Sequence, residues 1–287
     1  MLKVNKTDNL DIIWFITFTF IWSWLFWLPS VLSSLGLIEI DQITLTIFSV
    51  IAVFGPTIIA FLLTGIKEGK KGIKILLKRF NLNFNKKWLI PIFIVGPLIS
   101  SFGLLCIFLF EPGLFPDLQY LKAPVSIPFV ILYIFFLGGP FQEEFGWRGY
   151  ALDRIQSKYN AVVSSLLLGI IHSLWHLPLI FITTSIQSQI PFIEFLLMTT
   201  LLTFFYTWLH NNTNGNVLIA MIFHLMGNLS SALFPYYVTI LGRWTGFFLL
   251  LIITIIIVKI YGPKKLVKNW NENIMNKNTI TDINRLD

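Results

Sequence analysis

The chain has 287 residues, 55% of them hydrophobic and only 12% charged, with a mean hydropathy of +0.76. Soluble chains carry about 25% charged residues, so this composition excludes a soluble globule and leaves a polytopic helical membrane protein. The formal charge of +7 would suit a nucleic-acid binder, but the placement of the basic residues excludes that class too.

Apolar stretches near the length of a bilayer crossing predict an all-α fold of about eight transmembrane helices, at 12–32, 43–66, 88–110, 127–148, 160–182, 190–209, 216–234 and 244–261. Lys3 and Lys6 precede the first run, as they would in a signal peptide. The run is longer than a signal's apolar core, however, and no small-x-small cleavage site follows Pro29, so a retained helix is expected. A basic loop from Lys67 to Lys87 separates the second run from the third, which holds the single cysteine, Cys106. One cysteine makes no intramolecular disulfide and no cysteine-based zinc site; it reads as a small core hydrophobe.

With a cytoplasmic N-terminus, only Lys122, Arg148 and Arg243 of the 21 basic residues fall outside cytoplasmic segments. This is the positive-inside pattern. It predicts a multi-pass protein of the cell membrane with both termini cytoplasmic, touching anionic lipid and no nucleic acid. No internal repeat is visible, which disfavours the inverted halves of many transporters. Three regions are expected: N-terminal helices and basic loop (1–126), a polar-marked core (127–234), and a last helix with a basic tail (235–287). The Lys- and Asn-rich segment after Gly262 reads as a loose tail.

The fourth run, IPFVILYIFFLGGPFQEEFGWRGY, carries Glu143, Glu144 and Arg148. Ionisable groups at the bilayer centre cost about 2.5–3.5 kcal/mol each on insertion scales, so three in one helix mark a site or an ion-pair network supporting one. At about 100° per residue, Glu144 and Arg148 lie on one face while Glu143 points elsewhere. Glu144 is therefore expected to pair with Arg148, leaving Glu143 as the tunable carboxylate. Gly138-Gly139-Pro140 just before the acids predicts irregular backbone. The choice is between a kink that admits water and a helix that stops and restarts with Pro140 in its first turn.

All four histidines lie in the C-terminal half. His172 and His176 share one helix face, as do His224 and Asn228, four residues apart in each case. His210, beside NNTNGN, reads as a loop residue. If the fourth helix continues to about Ser157, Glu143, His176 and Asn228 all come to roughly 18–24 Å from the cytoplasmic ends of their helices, with His224 at about 12 Å. A long fourth helix is thus expected.

Two chemistries fit. Glu143 can act as a general base toward water, with His176 assisting and His224 and Asn228 donating to the oxyanion of a hydrolysed amide. Alternatively, Glu143, His176 and His224, with His172 as a further ligand, can hold a divalent metal such as zinc that activates water. His172-Ser-Leu-Trp-His176 has the two-histidine spacing of a zinc-protease helix but lacks the intervening glutamate.

The three motifs resemble those of the CPBP family, which comprises CAAX prenyl endopeptidases, Abi-type proteins and bacteriocin-processing or immunity proteins. Glu143-Glu144-Phe-Gly-Trp-Arg148 is similar to EExxxR, and His224-Leu-Met-Gly-Asn228 to HxxxN. His172-Ser-Leu-Trp-His176 fits the second motif, with His172 at the usually aromatic position. The resemblance implies an intramembrane endopeptidase without a required cofactor, in which Glu143 activates water and His176 assists. It further implies that His224 and Asn228 stabilise the oxyanion while Glu144 and Arg148 organise the site. Its substrate would be a prenylated CAAX protein or another membrane-associated peptide. A non-catalytic immunity or binding protein is the runner-up, and an ion or small-molecule transporter the third reading. Oligomeric state is not legible.

Overall fold

A computed structural model of the chain describes residues 9–268, and these contain helices, turns and loops without a strand. The N-terminal half consists of α1 (Asn9–Ser34), α2 (Gln42–Val53), α3 (Gly55–Lys78) and α4 (Leu89–Phe110). After a short α5 (Gln119–Lys122) come α6 (Ile127–Leu137), α7 (Pro140–Gly146) and α8 (Leu152–Gln156). The series ends with α9 (Ala161–Trp175), α10 (Phe192–Asn212), α11 (Val217–Leu233) and α12 (Ile240–Tyr261).

Each predicted apolar run is helical, but not every run is one straight span. Six helical stretches are long and apolar enough to cross a membrane, or seven if α2 and α3, bent by 43° at Phe54, count as one. The predicted fourth run is the long one expected, continuing well past residue 148. It extends from Pro124 to Gln156, interrupted at Gly138-Gly139 and carrying a π-helical turn over Trp147–Ala151. The run at 216–234 becomes α11, of 17 residues. At 1.5 Å per residue that is about 25 Å, short of a hydrocarbon core about 30 Å thick.

Two buried clusters organise the bundle. One joins Phe15 and Trp27 of α1, Ile59 of α3, Phe145 of α7, Trp147 of the π turn and Trp175 of α9. The other joins Ile92 of α4, Phe205 of α10, Ile219 and Phe223 of α11, and Leu250 of α12. Lipid tails are as apolar as these side chains, so close fit rather than water exclusion holds such helices together. The contact of α3 with α7 depends on Gly146. A Cβ there would lie 2.5 Å from the backbone carbonyl of Pro56.

The basic segments meet at one end of the molecule. Lys67 of α3 pairs with Asp11 of α1, and Glu68 accepts from Arg154 of α8 at 3.1 Å. Arg79 Nε donates to Gly215 O at 2.8 Å, ahead of α11. Just after Gly262, the carbonyls of Pro263 and Lys264 accept from Val162 and Ala161 at the start of α9, and Leu266 is fully buried. The expected loose tail is therefore corrected for residues 263–266, which the N-terminus of α9 fastens by satisfying two of its own free N–H groups. The rest of that tail, from residue 269, lies outside the described residues.

Gly146→Val should force α3 away from α7, an overpacking cost of about 1–3 kcal/mol. The expected outcome is a lower melting temperature of the detergent-solubilised protein; an unchanged one would show that this contact is not tight.

Candidate active site

The helix carrying the acids stops and restarts. Gly138 closes α6, with its N–H bonded to Ile134 O at 3.0 Å. Gly139 then takes φ +112°, and Pro140 opens α7. Only glycine adopts that conformation without strain. Gln142 secures the restart: its Oε1 accepts from Gly139 N at 3.2 Å and its Nε2 donates to Val50 O at 3.2 Å. Of the two sequence expectations for Gly-Gly-Pro, the structure takes the break, and the long continuation to Gln156 accompanies it.

Beyond this break the two glutamates diverge. Glu144 and Arg148 are both fully buried, and Arg148 Nη1 donates to Glu144 Oε1 at 2.8 Å and Oε2 at 3.0 Å. Arg148 Nε and Nη2 have no hydrogen-bond partner among the described residues. Instead, the ring of Tyr206 on α10 stacks against the guanidinium at 3.5 Å, a cation–π contact worth about 2 kcal/mol when desolvated. His224 Nδ1 lies 2.8 Å from Glu144 Oε1. Glu144 thus joins the acidic motif to the first histidine of HxxxN.

Glu143 turns toward α9. Its Oε2 lies 3.0 Å from His172 Nε2, and Trp147 and Trp175 pack around that imidazole. His176 Nδ1 donates to His172 O at 2.9 Å, which leaves His176 Nε2 for the site. One ligand atom each from Glu143, His172 and His176 lies within 4.8 Å of the others. His224 is not in that group. It approaches Glu143 at Gly139 instead, where a Cβ would meet Glu143 Oε1 at 2.6 Å and His224 Nε2 at 3.1 Å. The missing side chain of Gly139 is what leaves room between them.

Asn228 Nδ2 donates to Gly138 O at 3.0 Å, so Asn228 sits at the break itself. A cavity of about 290 Å³ is lined by Glu143, His172, His176, Tyr206, His224 and Asn228, among others. The structure thereby brings together the residues singled out in all three motifs. His210 is a correction: it is buried inside α10 and not in a loop. Its Nε2 lies 2.8 Å from Asp153 Oδ1, and Asp153 Oδ2 pairs with Arg79 at 2.8 Å. Asn211 and Asn212 are bonded to Gln156, Lys265 and Leu266, which holds the last turn of α10 together.

Sequence reasoning missed Tyr206 and the positive φ at Gly139. An aromatic residue in an apolar run carries no signal of the charge it will cover. Gly138-Gly139 did signal irregular backbone, though not which residue would turn.

A helical membrane protein that gathers an acid, three histidines and an amide around a cavity has the furniture of an intramembrane hydrolase. Residues 125–230 match the family described as Type II CAAX prenyl endopeptidase Rce1-like. The chain is also 32% identical over 188 residues to the CAAX prenyl protease 2 of Methanococcus maripaludis, which covers 62% of this chain and 69% of that protein. The protein is a multi-pass membrane endopeptidase. It belongs to the Rce1-like branch of the CPBP family.

Arg148→Ala would leave Glu144 as an unpaired buried charge, for which about 3–5 kcal/mol is typical. Glu143→Ala strands no charge of that kind. Thermal denaturation in detergent should show a larger drop for Arg148→Ala, and equal drops would refute this division of roles.

Proposed function

We propose that the protein hydrolyses a peptide bond of a membrane-associated substrate by glutamate-activated water, without a required metal. The observation that carries this reading is the split of the two carboxylates. Glu144 is consumed by Arg148 and His224, whereas Glu143 keeps Oε1 facing the gap at Gly139. A water held there by Oε1 would lose a proton to Glu143 as its oxygen attacks the scissile carbonyl, and Glu143 would pass that proton to the leaving amine. His172 fixes the rotation of the carboxylate through Oε2, and His176 presents Nε2 to the same space.

The tetrahedral intermediate concentrates charge on the former carbonyl oxygen. His224 and Asn228 are the proposed donors to it. His224 Nδ1–H donates to the Glu144 carboxylate, so it is the doubly protonated ring that would offer Nε2–H to the oxyanion. One N–H of the Asn228 amide goes to Gly138 O and the second remains. The substrate reading follows the relatives toward a prenylated CAAX protein; another peptide processed at the membrane is the alternative that the CPBP motifs leave open. Lipids surround the bundle, and no nucleic acid enters this reading.

Glu143→Gln keeps the shape and is expected to abolish cleavage. Asn228→Ala removes one oxyanion donor, a loss of about 2.7–4 kcal/mol of transition-state stabilisation. It should lower kcat about 10²–10³-fold at unchanged melting temperature. Full activity in either variant would overturn the assignment.

A second reading is supported by the Glu143, His172 and His176 grouping, which has the donor composition of a two-histidine, one-glutamate zinc site. A divalent ion bound there would act as a Lewis acid and lower the pKa of bound water. His176 suits the part, since its Nδ1–H already donates to a backbone carbonyl, as metal-bound imidazoles do. Elemental analysis decides between the readings. One tightly held divalent ion per chain, lost in His172→Phe, would replace the metal-free mechanism, whereas a metal-free, fully active preparation is the expected result.

A further inference from the structure

α10 carries none of the three motifs, yet it walls the active-site cavity. Phe195, Thr199, Leu202 and Tyr206 line that cavity, and their helical spacing keeps them on one face of α10. Phe195 stands edge-on to His176, with ring centroids 5.3 Å apart. Tyr206, about three turns further along, is buried against the ion pair.

That ion pair is held through a single nitrogen. An arginine and a carboxylate frequently meet through two parallel N–H···O bonds from different nitrogens, which fix the plane of the guanidinium. Here both bonds come from Arg148 Nη1, to Glu144 Oε1 and Oε2 at 2.8 and 3.0 Å. Nε and Nη2 are buried without a hydrogen-bond partner among the described residues. Bonding at one nitrogen leaves the rest of the guanidinium free to swing about it. What opposes the swing is the Tyr206 ring, whose centroid lies 3.5 Å from Arg148 Cζ.

Tyr206 is in turn held by α11. The Phe223 ring stands against it at 84°, with centroids 4.8 Å apart. The ring of the next residue, His224, lies at 80° to it with centroids 6.2 Å apart. Glu144 Oε1 joins the two sides, since it accepts from Arg148 Nη1 and lies 2.8 Å from His224 Nδ1. A swing of the guanidinium therefore displaces the oxygen that orients the imidazole.

We propose, resting on the hydrolytic site above, that Tyr206 is a positioning residue for the reaction: its ring fixes Arg148, and through Glu144 it aims His224 at the oxyanion. The face of the ring does this, not the hydroxyl. Tyr206 exchanges no proton, and its effect reaches the substrate only through His224.

Tyr206→Phe keeps the ring and Tyr206→Leu removes it. In Tyr206→Leu the kcat for peptide cleavage should fall about 10²-fold, the scale of a misplacement of roughly 1 Å, and Tyr206→Phe should restore it. A ring-fluorinated phenylalanine at position 206 keeps the shape of Phe with a weakened π face, and its kcat should fall between the two. It decides alone if Tyr206→Leu does not fold. Equal activity of the fluorinated and plain rings would reduce Tyr206 to packing, and a loss in Tyr206→Phe would give its part to the hydroxyl; either result overturns the proposal. The imidazole nitrogen resonances of His224, assigned by their loss in His224→Gln, supply a readout that needs no turnover. They should shift with the fluorinated ring and stay in place in Tyr206→Phe, and resonances unmoved by fluorination would also overturn the proposal. Cleavage retained in Glu143→Gln would sink the hydrolytic reading instead, leaving these resonances to decide whether Tyr206 orients His224.

Discussion

The site depends on one buried ion pair, Glu144 with Arg148. In a medium without water, neither charge is tolerable alone. Their placement four residues apart on one helix lets the pair form within a single segment, before any other helix is in place. Once formed, it has spare capacity in two directions. Glu144 Oε1 also meets His224, and the face of the guanidinium meets Tyr206. A hydrophobic replacement of equal volume would remove the cost of desolvation, yet it would also release the imidazole of His224 from its orientation. This explains why so expensive a pair sits beside the proposed base: its second contact is the histidine that Glu143 faces across Gly139.

Two departures from regular helix set the geometry around that pair. The break at Gly138-Gly139 starts α7 afresh, so Gln142, Glu143 and Glu144 sit in its first two turns and reach three different partners: Val50, His172 and His224. The π turn from Trp147 to Ala151 follows immediately after the acids. Its Gly149 carbonyl accepts from Arg79. The segment bearing the acids is therefore held at both ends by bonds to other helices, and lipid-exposed irregular backbone is avoided because each irregularity is buried in protein.

Much of this was legible in the sequence because membrane segments follow simple rules. Apolar length located the helices, and the i,i+4 geometry of Glu144 and Arg148 gave their pairing. Gly138-Gly139-Pro140 gave the irregularity but not its form. The misreadings have a common cause: contacts between segments distant in sequence. His210 looked like a loop residue because asparagines surround it, yet Asp153 and Arg79 draw it into a buried knot. The residues after Gly262 looked unstructured because they are polar, yet the free N–H groups at the start of α9 bind them. Tyr206 was invisible because nothing in an aromatic residue's immediate neighbours announces a cation across the bundle.

His172 shows how one side chain can change what a site is able to hold. Trp147 and Trp175 already surround its position with aromatic rings, so another aromatic would suit the packing. An apolar ring there would leave Glu143 Oε2 without this hydrogen bond in a buried setting, and the carboxylate would have less to fix its rotation. The imidazole supplies the bond through Nε2. The same atom, with Glu143 and His176, completes a grouping of ligand atoms compact enough for a divalent ion. An oxygen that ligates an ion is not at the same time a free base. In this chain the residue that steadies the proposed base therefore also makes it open to capture by metal, and the two uses compete for one carboxylate.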